Sequence, residues 1–171
     1  GEATGWRVYL QVTEDRGRTW QSLGPLNGRN RFEAIQPTIL TYPGGRVQLL
    51  CRTRQNAVSQ VWSHDGGRTW GEMTATSLPN PNSGIDGVTL ADGRQVLVYN
   101  HSERQRTPLN VAVSRDGETW TSAAVLEDRP GEYSYPSVIQ AGDGRIHAVY
   151  TDCRRTIKHA VIAPGGLVDA D

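Results

Sequence analysis

The sequence predicts an all-β protein made of four-stranded antiparallel blades set radially, as in a β-propeller. Three observations carry this. The phrase Ser63-His64-Asp65-Gly66-Gly67-Arg68-Thr69-Trp70 recurs in close form at residues 13–20 and, one residue shorter, at 114–120. Its aspartates stand at 15, 65 and 116, a period of 50 and then 51 residues, and repeats of that length mark radially arranged or stacked units. Between these turns, three segments (36–52, 84–100 and 134–150) share one form: apolar strand, Gly-Arg turn, apolar strand. Their turns are Gly44-Gly45-Arg46, Asp92-Gly93-Arg94 and Asp143-Gly144-Arg145, and Asp-Gly between apolar runs is a strong hairpin signal. Finally, no stretch carries helical periodicity. Leu49-Leu50-Cys51 and Val96-Leu97-Val98-Tyr99 are continuous apolar runs, as expected of strands buried on both faces.

The elements follow in order. Residues 6–12 and about 20–26 read as the third and fourth strands of a partial blade within 1–30. A full blade spans 31–80, with its third strand at 57–62 and its fourth at 74–78. A second full blade spans 81–129, with third and fourth strands at 109–113 and 122–126. The last blade, 130–164, has three strands (134–140, 145–151, 156–162), and the tail 165–171 carries no fourth. In each repeated turn the Asp accepts bonds from the backbone beyond it, Gly supplies positive φ and Trp anchors the turn. About three blades cannot close a ring that needs four to eight. The expectation is therefore the C-terminal part of a larger propeller. Either missing N-terminal blades or a second copy would close it.

Lys plus Arg and Asp plus Glu both number 18, a formal net charge of zero. That gives no electrostatic case for nucleic acid or an anionic membrane surface. No apolar run is long enough to span a membrane. The reading is a soluble protein of bacterial type whose compartment the sequence does not fix. A targeting signal would lie outside this chain. Cys51 and Cys153 are too few for a disulfide framework and are expected to be buried free thiols. No Cys/His spacing suggests a metal, and no cofactor is implied.

The repeated Ser-x-Asp-x-Gly-x-Thr-Trp phrase resembles the Asp box of sialidases and their relatives, the bacterial neuraminidase repeat. By itself it marks a fold, so Asp15, Asp65 and Asp116 are read as rim residues that hold turns. Five further motifs carry the resemblance: 35–40 (Ile-Gln-Pro-Thr-Ile-Leu), 50–54 (Leu-Cys-Arg-Thr-Arg), 79–86 (Pro-Asn-Pro-Asn-Ser-Gly-Ile-Asp), 131–136 (Gly-Glu-Tyr-Ser-Tyr-Pro) and 155–159 (Arg-Thr-Ile-Lys-His). Together they are similar to a bacterial sialidase-like family of about twice this length, over residues 5–164.

The resemblance implies a six-bladed propeller with its site on the axis. In sialidases three arginines grip the substrate carboxylate, a Tyr attacks the anomeric carbon, a Glu takes the Tyr proton and an Asp acts as acid and base, an exception to the two-carboxylate rule. Phenol ionises at about 10 and needs a neighbouring base. Arg52, ending an apolar inner strand, matches the second carboxylate-binding Arg, with Arg54 as the near alternative; a planar fork suits a carboxylate. Arg106, with Arg104 as alternative, matches the third. Tyr133 in Glu132-Tyr133-Ser134 matches the nucleophile, with Tyr135 as the alternative.

Two departures stand out. Gln36 occupies the place of the sialidase Glu and cannot take a proton, so Glu33 or Glu132 would substitute or the chemistry differs. Asp86 is the remaining carboxylate for acid–base work. The first Arg and the sialidase acid/base Asp have no counterpart here. Asn80, Asn82 and Ser83 form a polar loop able to line a sugar site. His101 stands where it could reach the pocket, and Lys158 and His159 are expected at a partly exposed rim. The primary reading is a retaining sialidase-like glycosidase acting on a terminal acidic sugar, with the fragment alone inactive. The alternatives are a glycan-binding propeller without hydrolysis and an assembly piece.

Overall fold

The computed structural model describes residues 5–28 and 32–167. Strands account for nearly all its regular structure, in four antiparallel sheets. The first sheet pairs β1 (Leu10–Val12) with β2 (Gln21–Leu23). The second runs in the order β3 (Ala34–Thr41), β4 (Val47–Thr53), β5 (Ala57–Ser63), β6 (Thr74–Pro79). The third repeats it with β7 (Asp86–Thr89), β8 (Gln95–Asn100), β9 (Leu109–Ser114) and β10 (Thr121–Glu127). The fourth has three strands, β11 (Tyr133–Gln140), β12 (Ile146–Asp152) and β13 (Thr156–Ile162). The expected boundary at 30/31, the first four residues and the end of the tail (168–171) lie outside the described residues.

The innermost strands β3, β7 and β11 pack side by side, so the sheets radiate from a common axis. Three apolar cores hold successive sheets together. Val8 meets Leu49, Cys51 and Val61 between the first and second. Leu40, Leu50 and Val58 meet Leu97, Tyr99 and Ala112 between the second and third. Val96, Val98 and Val111 meet Val138, Ile146 and Ala148 between the third and fourth. Each buried aliphatic side chain contributes roughly 1.5–3 kcal/mol. Strands β8 and β9 are buried at every position, because the third sheet is covered on both faces. That is why residues 96–99 read as a continuous apolar run rather than an alternating one.

The repeated Asp turns share one bonding pattern. Asp65 Oδ1 accepts the N–H groups of Arg68 (3.0 Å) and Thr69 (2.9 Å), and Oδ2 accepts the Thr69 hydroxyl at 2.6 Å. Ser63 Oγ accepts the Gly67 N–H, and Trp70 Nε1 donates to the Gly67 carbonyl. Asp15 and Asp116 repeat the backbone contacts. These bonds favour the charged form. The bonds from Thr19 hold the Asp15 carboxyl down at about 2, and those from Thr69 hold Asp65 well below the usual range. Cys51 is buried, its thiol pushed up to about 12 by burial. Cys153, expected in the interior, is exposed. It follows the end of β12, at φ 51° in the turn to β13, so its side chain leaves the sheet rather than entering a core.

Candidate functional site

The site begins with two bulges. The ladder between β3 and β4 slips between Ile35 and Thr38, and the ladder between β11 and β12 slips between Ser134 and Ser137. Each slip contains an X-Pro pair, Gln36-Pro37 and Tyr135-Pro136, where the missing N–H of proline costs no ladder bond. Gln36 and Tyr135 both sit at φ 51°, a region that costs a non-glycine residue roughly 1–3 kcal/mol and is held only by its surroundings. Both precede their turn glycine (Gly45, Gly144) by nine residues. The same offset before Gly93 falls on Gly84. A Cβ built on Gly84 would lie 3.3 Å from Tyr135 Cδ1 and 3.8 Å from Gln36 Oε1. Three equivalent positions, two on β3 and β11 and one just before β7, thus meet near the axis, and the glycine leaves room between the other two.

Arg52, at the end of β4, points into this place and is only 7 % exposed. Its Nε and one terminal nitrogen donate to Asn82 Oδ1 (3.1 and 2.8 Å), and the other donates to Gln36 Oε1 at 2.8 Å. Both partners are neutral amides. Among the described residues, no carboxylate lies within ion-pair distance of Arg52. Asn82 reaches it from a turn at φ 58°, a conformation Asn tolerates. The Asn80 side chain holds that turn through Ser83. Trp6 lies against Arg52 and Arg54, 5.1 and 4.3 Å from their guanidinium carbons to the ring centre.

Arg106 approaches from the third sheet. Its guanidinium carbon lies 5.5 Å from the centre of the Tyr135 ring, and it pairs with Glu132 at 3.0 Å. Arg154 pairs with the same Glu132 oxygen at 2.8 Å. Hydrogen bonding and charge from Arg106, then from Arg52, hold the Tyr135 phenol below its ordinary value. Burial instead lowers Arg52. A groove of about 690 Å³ opens beside Tyr135, bounded by Thr151, Arg154, Arg155, Thr156 and Ile157. Its size suits a small ligand. A second hollow of about 780 Å³ lies between the first two sheets, near Trp20, Asp65 and Trp70; Arg52 and Arg106 line neither it nor the groove. No group of three or more metal-ligating side chains forms among the described residues. None of their helices is long and apolar enough to cross a membrane.

The structure thus brings together Arg52, Arg106, Gln36, Asn82 and Tyr135. It separates the other expected residues from them. Tyr133 is 4 % exposed and packs in the core between the third and fourth sheets, where burial raises its phenol. Alternation alone would put both tyrosines on one face; the bulge at Tyr135-Pro136 breaks it and turns Tyr135, not Tyr133, toward Arg52. Glu132 is held ionised, first by Arg154, and serves the arginines as a counter-charge. Asp86 accepts the Thr38 hydroxyl at 3.0 Å and the Val138 N–H at 2.8 Å, which ties β7 to both neighbouring inner strands. Arg54 pairs with Glu33 at 3.4 Å. His101 bonds the Tyr99 hydroxyl. Lys158 is taken up by Glu127 (2.6 Å) and Asp152 (3.2 Å). The nine-residue offset from the turn glycine was the sequence signal that selects Tyr135 and Gly84; Trp6 carried none.

Radially set antiparallel sheets with repeated Asp turns between their third and fourth strands define a partial β-propeller of the Asp-turn type. The family model for the BNR repeat-like domain matches residues 1–148, and the chain belongs to that family. No curated protein matches the sequence. Among solved structures, the K499G mutant of NanB sialidase from Streptococcus pneumoniae superposes with a TM-score of 0.77 at 16 % identity, over 97 % of this chain and 29 % of that one. The intramolecular trans-sialidase from Ruminococcus gnavus, in complex with oseltamivir carboxylate, gives 0.75 at 20 % identity, over 94 % and 39 %. A Dyadobacter fermentans protein of unknown function gives 0.71 at 20 %, over 90 % and 44 %. This chain therefore spans less than half the length of each, and at these identities the likeness is one of fold.

Proposed function

We propose that Arg52, Arg106 and Tyr135 form part of a site for the carboxylate-bearing end of a terminal acidic sugar, such as sialic acid, in a sialidase-like glycoside hydrolase. The observation that carries this is Arg52: a buried guanidinium held by two amides and met by no carboxylate among the described residues. A buried cation is costly unless paired, and a sugar carboxylate would supply the missing charge through the planar fork. Tyr135, rather than Tyr133, takes the nucleophile's place. Its oxygen bonds to the anomeric carbon as the glycosidic C–O bond breaks and the leaving oxygen takes a proton from solvent. Water then displaces the tyrosyl oxygen from the same carbon, so that two inversions give net retention. The neighbouring guanidinium groups favour the phenolate that attacks.

A second reading, binding without hydrolysis, is favoured by Gln36. It stands next to Tyr135 where a proton acceptor is expected, and an amide does not accept that proton. The test is to offer this chain, and any longer form that contains it, fluorogenic acidic-sugar glycosides and the free acidic sugars. Turnover that disappears in Tyr135→Phe and survives in Tyr133→Phe supports the hydrolase. Calorimetric binding without turnover supports the second reading. In either case Arg52→Lys should weaken binding by about tenfold, or about 1.4 kcal/mol, because the charge stays and the fork is lost. Equal affinity in Arg52→Lys, or no affinity for any acidic sugar, would remove the proposal.

A further inference from the structure

The cations of the last three sheets are met in two ways. Arg106 and Arg154 share Glu132, Arg54 pairs with Glu33, and Lys158 with Glu127. Two arginines are buried among the described residues, Arg52 and Arg94. Arg94 has the Asp92 carboxylate at 2.8 Å. Arg52 has the side-chain oxygens of Gln36 and Asn82 instead. The deeper a charge lies, the more it needs an opposite charge, and here the most deeply placed guanidinium is given amides.

The geometry at both positions would serve an acid equally well. Gln36 Oε1 takes one terminal N–H at 2.8 Å. Asn82 Oδ1 takes Nε and the other terminal nitrogen at 3.1 and 2.8 Å, a side-on grip of the fork. Glu has the length of Gln and Asp that of Asn. An acid at either place would reach the same nitrogens with a charge-assisted bond, roughly twice as strong. The backbone does not forbid it. Asp tolerates the left-handed turn at position 82 much as Asn does, and Glu differs from Gln only at its tip.

The amides therefore orient the fork and leave its charge uncompensated. Their oxygens are spent on Arg52, so what they have left to offer a ligand is N–H. Such donors suit an acceptor-rich anion, whereas an acid in the same place would repel it. Asn82 also touches the second arginine, since its backbone carbonyl lies 3.5 Å from a terminal nitrogen of Arg106.

We propose that Gln36 and Asn82 are specificity-determining residues: two amides, standing where acids would fit, that position Arg52 and keep its charge for an anionic ligand. The identity of that ligand rests on the sugar reading; the amide pair does not. Stability is lost in the arrangement, because a guanidinium met by a carboxylate would hold the end of β4 more firmly.

Gln36→Glu and Asn82→Asp test it. Each should raise the melting temperature by about 2–4 °C, because the buried cation gains a counter-charge. Each should weaken the binding of sialic acid at least about tenfold, because the new ion pair competes with the ligand. Each should delay the Tyr135 step of a spectrophotometric phenol titration by about one pH unit, since a negative charge then faces the arginines that lower this phenol. Gln36→Met removes the acceptor and adds no charge; it should melt lower and leave the phenol step in place, which separates charge from packing. Acid variants that melt no higher, that ionise Tyr135 no later, or that bind sialic acid as tightly as the parent would overturn the proposal. If the parent binds no acidic sugar while the melts and the titration respond as described, the sugar reading falls and the reserved charge of Arg52 stands.

Discussion

Replacing Asp86 tests whether this carboxylate ties the inner strands together or does acid–base chemistry. Its two oxygens accept from Thr38 on β3 and Val138 on β11, at 3.0 and 2.8 Å. Thr38 Oγ1 also takes the Gly87 N–H at 3.0 Å, so three inner strands converge on one side chain. Hydrogen bonds to a charged acceptor contribute about 1.5–3 kcal/mol each. Asp86 is half-buried, which argues for the lower end. Asp86→Ala removes two such bonds and should cost about 3 kcal/mol. In a chain of this size that lowers the melting temperature by roughly 6–12 °C. Asp86→Asn keeps one acceptor but turns an amide donor toward a donor, and should lose nearly as much. Thermal melts followed by circular dichroism read both. If Asp86→Ala melted with the parent chain while any turnover vanished, the strand-tie argument would fail and an acid–base role would stand in its place.

Gly84→Leu should abolish acidic-sugar binding while the chain still folds, because the new side chain fills the gap between Gln36 and Tyr135, whose nearest atoms would lie 3.8 and 3.3 Å from its Cβ; binding at parental affinity in calorimetry would refute the axial gap. In a spectrophotometric phenol titration, Tyr135 should ionise first, since Arg106 and Arg52 lower it while burial raises Tyr42 and Tyr99. Tyr135→Phe should delete that earliest step, and an unchanged curve would count against the arginine contacts. The Asp turns bind carboxylates whose folded values are depressed, so their stabilisation is fully present above the unfolded value and is lost as pH falls through the folded one. For Asp15 that window runs from 3.8 down to about 2, and for Asp65 it extends lower. Asp65→Asn should therefore flatten the acid side of the stability curve, as read by urea melts at successive pH values.

The strands were legible because their signals are local. A turn glycine needs positive φ wherever the chain folds, an Asp bonds the backbone three and four residues on, and a strand covered on both faces needs apolar residues at every position. These constraints act within a few residues, so residues 96–99 and the turns at 65 and 116 could be read directly. Arg52 was also legible, since a guanidinium closing an apolar strand demands a partner.

The choice between Tyr133 and Tyr135 was not local. Both are strand-start tyrosines two residues apart, so simple alternation would send both to the same face. Here a bulge at Tyr135-Pro136 overrides simple alternation, and only the packing of β11 beside β7 decides that Tyr135 meets Arg106 while Tyr133 enters the core. Glu132, Asp86 and Lys158 likewise found their partners across sheets, at sequence separations of 26 to 52 residues. The amino-acid order by itself determined the repeating unit, the turns and the presence of a buried cation, because backbone geometry and burial are short-range demands. Which side chains share the axis was decided by how the sheets stack, because those contacts exist only once distant segments are brought together.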